Sequence, residues 1–181
     1  MTALLVTGLF FTIPLIVSGI LHMIVVRTGA LGALKRPIAE ATFGPNKTWR
    51  GFVVMPLATV AGVALAKLVE PLFGDVLLAR LSTSATWPLG VVLGLAYVAA
   101  ELPNSYMKRR LGIAPGMVPE KNRTFFVLLD QADSAIGCAL AYLLMLRIPL
   151  ALAALLCVLG PGVHLLVNLL LFAVGLRKRP V

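Results

Sequence analysis

The sequence predicts an all-α fold: a polytopic membrane bundle of about five transmembrane helices. Three observations predict it. Of the 181 residues, 60% are hydrophobic and only 13% are charged, against about 45–50% apolar and about 25% charged in a soluble domain. Apolar residues fall in runs of about 20, the length that spans a bilayer. Polar, Pro- and Gly-containing connections separate these runs and hold most of the basic residues. Such a chain has too little polar surface to cover a water-facing exterior, which excludes an ordinary soluble domain. Residues 1–181 are read as one integral membrane domain.

The first span is predicted over residues 3–26. It lacks a basic leader and is too long for the core of a cleavable signal. A polar loop follows from Arg27 to Trp49, then a second span over 51–69. A short connection carries Glu70, Pro71, Gly74, Asp75 and Arg80. The third span, 87–107, opens on Trp87-Pro88, where Pro suits a first helical turn. A basic loop from Lys108 to Thr124 leads to the fourth span, 125–146. The fifth, 148–176, would run about 42 Å at helical rise, longer than the roughly 30 Å hydrocarbon core. Gly160-Pro161-Gly162 at its middle predicts a kink rather than two spans, since each half would be too short.

Of the 16 Lys and Arg, all but Lys67, Arg80 and Arg147 fall in the loops after spans one and three or in the tail Arg177-Lys178-Arg179. The positive-inside rule then places the N-terminus outside and the C-terminus in the cytosol. The net charge of +9 is read as topology and attraction to anionic lipid or phosphate, not as a nucleic-acid surface. Cys138 and Cys157 fall inside spans and give neither a disulfide framework nor zinc spacing. Glycines in the first three spans permit close helix packing and oligomer formation without naming a partner.

Two carboxylates, Asp130 and Asp133, stand one helical turn apart in span four. Ionised Asp within a span is costly and usually has a partner and a function. Two such charges repel unless a cation lies between them, and Mg²⁺ suits carboxylate oxygens. The plainer reading is a polar pair satisfied by neighbouring helices. Span three ends with Glu101, Asn104, Ser105 and Lys108 along one helical stripe, a mixture suited to metal-bound polyphosphate. Pro103 would bend this helix. Before span two, GPNKTWRG offers Asn46 as an N-cap, a helix start that favours anions, and Lys47, Thr48 and Arg50. Lys47 and Arg50 equally suit a juxtamembrane anchor, as does Arg110. Lys121 and Arg123, in a turn-rich loop, either close over a phosphate or flank the membrane. His22 and His164, in apolar runs, are expected to be packed or hydrogen-bonded rather than catalytic.

Together GPNKTWRG, ELPNSYMKRRLGIAPG and LLDQADS, within residues 44–134, resemble the CDP-archaeol synthase family, relatives of the phosphatidate cytidylyltransferases. The bacterial phosphatidate signature has a Lys-Asp pair and a Gly-rich turn before its acidic pair. Here Lys121 is followed by Asn122 and the turn is missing, which favours the ether-lipid branch over ester lipids. The resemblance implies a Mg²⁺-dependent nucleotidyltransferase of phospholipid biosynthesis in the cell membrane, with its site on the cytosolic side. It would move CMP from CTP onto an ether-lipid phosphate and release pyrophosphate. Asp130 and Asp133 would hold the metal, with Glu101 completing that site or orienting Lys108. Lys47, Thr48, Arg50, Lys108, Arg109 and Lys121 would meet phosphate, and Asn104 and Ser105 the phosphates or the metal's water. A lipid phosphomonoester, with a second pKa of about 6, needs charge cancellation rather than a strong base. A CDP-alcohol phosphotransferase is disfavoured because no acidic residue follows Asp133. A phosphatase would need a His among the polar motifs. A small transporter would fit the buried Asp pair but not the one-sided basic charge.

Overall fold

The computed structural model describes residues 1–176. Arg177, Lys178 and Arg179, counted above in the basic tail, lie outside the described residues. Five long helices carry the fold: α1 (Thr2–Thr28), α3 (Trp49–Val69), α4 (Thr86–Arg110), α5 (Arg123–Leu146) and α6 (Leu150–Ala173). A single-turn helix, α2 (Glu40–Phe43), sits in the first loop and packs on α4. No strand occurs among the described residues, where one isolated bridge joins Pro37 to Thr48. All five long helices are long and apolar enough to cross a membrane.

Expected boundaries hold to within a few residues, and the departures have local causes. Helix α3 begins at Trp49 with Thr48 in extended conformation at the cap; Asn46, expected there, lies two residues too early and faces a cleft instead. Helix α4 continues to Arg110, so Lys108 and Arg109 extend the polar stripe rather than opening a loop. Helix α6 is unbroken from Leu150 through Pro161 to Ala173, about 36 Å at helical rise. It stops short of Leu176 because the chain turns at Gly175, whose φ of 73° suits glycine. Pro14, Pro56 and Pro103 also lie inside helices, as membrane helices tolerate.

The helices close a ring in which α3 packs on α1 and α4, α5 on α4 and α6, and α6 back on α1. In lipid, the association of helices relies on close packing of small residues. A Cβ on Gly62 would lie 2.5 Å from the Pro14 carbonyl oxygen, and one on Gly137 would lie 2.6 Å from that of Ala96. The backbones therefore meet where only glycine fits. Inside the ring Phe10, Phe11, Leu89, Leu93, Tyr142 and Leu152 form the core, and the Tyr142 hydroxyl donates to the Phe11 carbonyl at 2.9 Å. Outward-facing Leu5, Leu57, Leu65, Leu140, Leu144 and Leu170 remain exposed, as a lipid-facing surface requires.

At the end away from the basic loops, buried Glu70 organises the 70–85 connection. Its carboxylate accepts from the Leu81 and Ser82 amides at 2.7 and 3.1 Å and from the Ser82 hydroxyl. Lys67 donates to the Ser84 carbonyl and Thr86 hydroxyl. The basic loops 29–48 and 111–122 lie at the opposite end, beside the polar residues of α4 and α5.

Candidate active site

The polar stripe of α4 faces the start of α5, and their side chains interlock. The Lys108 ammonium reaches both oxygens of Asp130, at 2.6 and 2.5 Å. The Asn104 amide nitrogen donates to Asp130 at 2.6 Å and to Asp133 at 3.0 Å. The second Asp133 oxygen accepts from the Ser134 amide at 2.7 Å. Helical spacing causes this convergence: Asn104 and Lys108 are four apart on one helix, and Asp130 and Asp133 three apart on its neighbour. Asn104 and Lys108 are 7% and 8% exposed, while the Asp130 side chain is 32% exposed, so the cluster is buried on its amide and ammonium side and open on its carboxylate side. Phe126 flanks the ammonium, with its ring centroid 5.9 Å away.

A cleft of about 620 Å³ opens over this cluster, and Asn46, Lys47, Glu101, Ser105 and Arg109 share its wall. Lys47 and Glu101 form an ion pair across the space between the loop before α3 and α4. Arg109 lies beside Gly44, within ordinary van der Waals reach of a Cβ placed there, and its buried Nε and Nη1 have no hydrogen-bond partner. The fixed charges lining the cleft, Lys47, Lys108 and Arg109 against Glu101, Asp130 and Asp133, balance formally.

A second, smaller chamber of about 280 Å³ lies deeper in the bundle. Leu15, Ile16, Met23, Phe52, Met55, Val163 and Val167 give it an apolar wall drawn from α1, α3 and α6. It shares Asn46, Lys47, Glu101, His164 and Asn168 with the cleft. The Lys47–Glu101 pair thus stands where a polar compartment meets an apolar one.

Of the residues expected at the site, Lys47, Glu101, Asn104, Ser105, Lys108, Arg109, Asp130 and Asp133 line one cleft. Thr48 lines the apolar chamber instead. Arg50 does not line either compartment. It is buried beneath the first loop with its guanidinium 3.4 Å from the Ala30 carbonyl, because the first turn of α3 turns it toward the end of α1. Lys121 is exposed in the 111–122 loop and outside the cleft lining. The polar residues of α6 were not anticipated as site residues. Asn168 donates to Gln131 at 3.3 Å, and His164 lies 3.4 Å from the Tyr97 hydroxyl. Their spacing of four within an apolar span was the available signal.

Asp130 and Asp133 offer hard oxygen donors of the kind a divalent cation takes. The carboxylates of Asp130 and Asp133 converge on the amide nitrogen of Asn104 rather than on its oxygen, and Asn104 Oδ1 is buried without a partner. Glu101, expected as the third ligand, is engaged by Lys47. Among the described residues no three His, Cys, Asp or Glu side chains come together as a metal-binding group.

Fold and site define a multi-pass membrane protein with a partly buried carboxylate–amide–ammonium cluster lining a cleft at its basic end. Sequence comparison places it further: the model "CarS-like: CDP-archaeol synthase" matches residues 1–181, and the chain belongs to this family. Proteins named CDP-archaeol synthase are similar to it. That of Thermofilum pendens is 34% identical, over 78% of this chain and 60% of its own length. Those of Natronomonas pharaonis and Halobacterium salinarum are 31% and 32% identical, over 76% of this chain and 70% and 75% of their own lengths. The chain's match therefore spans less than two thirds of the Thermofilum protein. The family is one of synthases, that is, of enzymes. No solved structure is significantly similar to the chain.

Proposed function

We propose that this chain is a CTP-dependent cytidylyltransferase that joins CMP to the phosphate of an archaeal ether lipid, yielding CDP-archaeol and pyrophosphate. The observation that carries this reading is the adjoining of two compartments. A polar cleft walled by Lys47, Lys108 and Arg109 shares Asn46, Lys47, Glu101, His164 and Asn168 with an apolar chamber inside the bundle. A lipid phosphate would reach the cleft from the chamber while the nucleotide enters from the aqueous side. By the positive-inside rule, that side is the cytosol of the cell membrane.

The reaction forms a bond from a lipid phosphate oxygen to the α-phosphorus of CTP and breaks the bond to the pyrophosphate. Two polyanions must meet in line, so catalysis rests on positioning and charge stabilisation. Lys47, Lys108 and Arg109 stand around the cleft to receive phosphate oxygens. The unpartnered nitrogens of Arg109 offer donors to the leaving pyrophosphate. Asp130, Asp133 and Asn104 would hold Mg²⁺, which supplies Lewis-acid polarisation and further charge neutralisation when bound. Glu101 keeps Lys47 oriented at the junction. Ser105, on the cleft wall, offers a hydroxyl to phosphate.

The test is pyrophosphate release by the purified protein given CTP, Mg²⁺ and an unsaturated ether-lipid phosphate, each omitted in turn. Release that requires all three is expected, with an ester-linked phosphatidate turning over more slowly. No release with either lipid would overturn the assignment.

A further inference from the structure

We propose that the Lys108 ammonium holds the place of a divalent cation at Asp130 and Asp133, and that an arriving cation sends Lys108 to phosphate while Asn104 Oδ1 becomes a third oxygen ligand. The identity of that phosphate rests on the function proposed above; the cation exchange itself does not.

The geometry points to exchange rather than to a permanent ion pair. The ammonium sits in the fork of Asp130, within hydrogen-bond distance of both oxygens. It is the one cationic group shown bonded to this pair of acids among the described residues. Lys108 also lines the cleft, so its flexible four-carbon stem can carry the charge from the carboxylate to a ligand there. A divalent ion and the ammonium on the same carboxylate would repel, so the arrival of one favours the departure of the other.

Asn104 supplies the independent observation. Its side chain is 7% exposed and its amide nitrogen spans both carboxylates, yet Oδ1 is buried with no partner. A buried unsatisfied acceptor is costly. With no metal present, the amide must turn its nitrogen toward the acids, because an oxygen there would face like charge. A metal ion between the acids reverses that preference, and rotation about the last side-chain bond exchanges the two amide atoms. Both donors that hold the carboxylates, Lys108 and Asn104, therefore have a second use once a cation binds. Cation and phosphate then bind with positive, reciprocal coupling.

Mn²⁺ binding to the purified, detergent-solubilised protein, followed by electron paramagnetic resonance of free Mn²⁺, tests this with and without CTP. Lys108→Gln keeps a donor for Asp130 but removes the competing charge. It should bind Mn²⁺ about tenfold tighter than wild type without CTP, and CTP should no longer tighten it. Asn104→Leu should weaken Mn²⁺ binding about tenfold, the scale of losing a group that supports a metal site. Monodisperse Lys108→Gln protein with Mn²⁺ affinity at or below wild type would overturn the exchange, as would unchanged affinity in Asn104→Leu for the third ligand. If Lys108→Gln fails to fold, Lys108→Met is read by the same criterion. CTP that fails to bind wild type while Lys108→Gln still tightens Mn²⁺ would sink the nucleotide reading and leave the exchange standing.

Discussion

Gly137→Ala tests whether the site depends on how closely α4 and α5 approach. A Cβ at Gly137 would lie 2.5 Å from the Ala100 Cβ and 2.6 Å from the Ala96 carbonyl oxygen. Ordinary contact begins near 3.4 Å, so the helices must separate locally by something under 1 Å. Ala100 adjoins Glu101, and Gly137 lies one turn beyond Asp133. A separation of that size lengthens the 3.0 Å bond from Asn104 to Asp133 past the roughly 3.2 Å limit of a good hydrogen bond. Overpacking costs about 1–3 kcal/mol, and a weakened bond to a charged group adds up to about 1.5–3 kcal/mol. Turnover should fall up to about 100-fold, the scale of a misplacement near 1 Å. Denaturant unfolding in mixed micelles gives the stability, and pyrophosphate release the turnover. Gly162→Ala is the control: nothing lies within 4 Å of its Cβ, so it should be neutral or gain up to about 1 kcal/mol in helix propensity. Gly137→Ala with wild-type stability and turnover would refute the claim that helix contact sets the site.

Asp133→Asn should abolish turnover in a protein that still elutes as a folded species; retained turnover would remove Asp133 from the reaction. Arg110, exposed at the end of α4, should tolerate Ala with turnover within about twofold, since exposed charges contribute little; complete loss would move it from anchor to site. Glu70→Gln should lower stability by about 1–3 kcal/mol, the scale of bonds to a buried charged group. It should leave the KM for CTP unchanged, because Glu70 serves the far end of the bundle. Tyr142→Phe loses the bond to Phe11 and should cost about 1 kcal/mol, read by the same unfolding assay.

Hydrophobic runs alone were enough to locate the spans, because a helix is the one open-chain element that satisfies its backbone in lipid. The α4 stripe and the Asp pair of α5 were legible for the same reason: within a helix, spacing dictates which side chains share a face. Arg50 and Thr48 were not, since both flank the start of α3 and sequence spacing does not say which way that helix turns against α1. Lys121 shows the same gap in a loop, where no periodicity constrains direction. Glu101 lies on its expected stripe, but its ion pair with Lys47 was not legible, because Lys47 reaches it across a tertiary contact.

The sequence by itself determined the element lengths, the membrane setting, the one-sided basic charge and which acids and amides share a helical face. Those are local quantities, governed by helical period and transfer energies. Only the tertiary structure decided that Asn104 spans both Asp carboxylates, that Lys108 sits in the fork of Asp130, and that Lys47 joins Glu101 where the cleft meets an apolar chamber. Each depends on how closely neighbouring helices approach and on their rotation about their axes, which are set by packing at residues such as Gly62 and Gly137 between elements far apart along the chain.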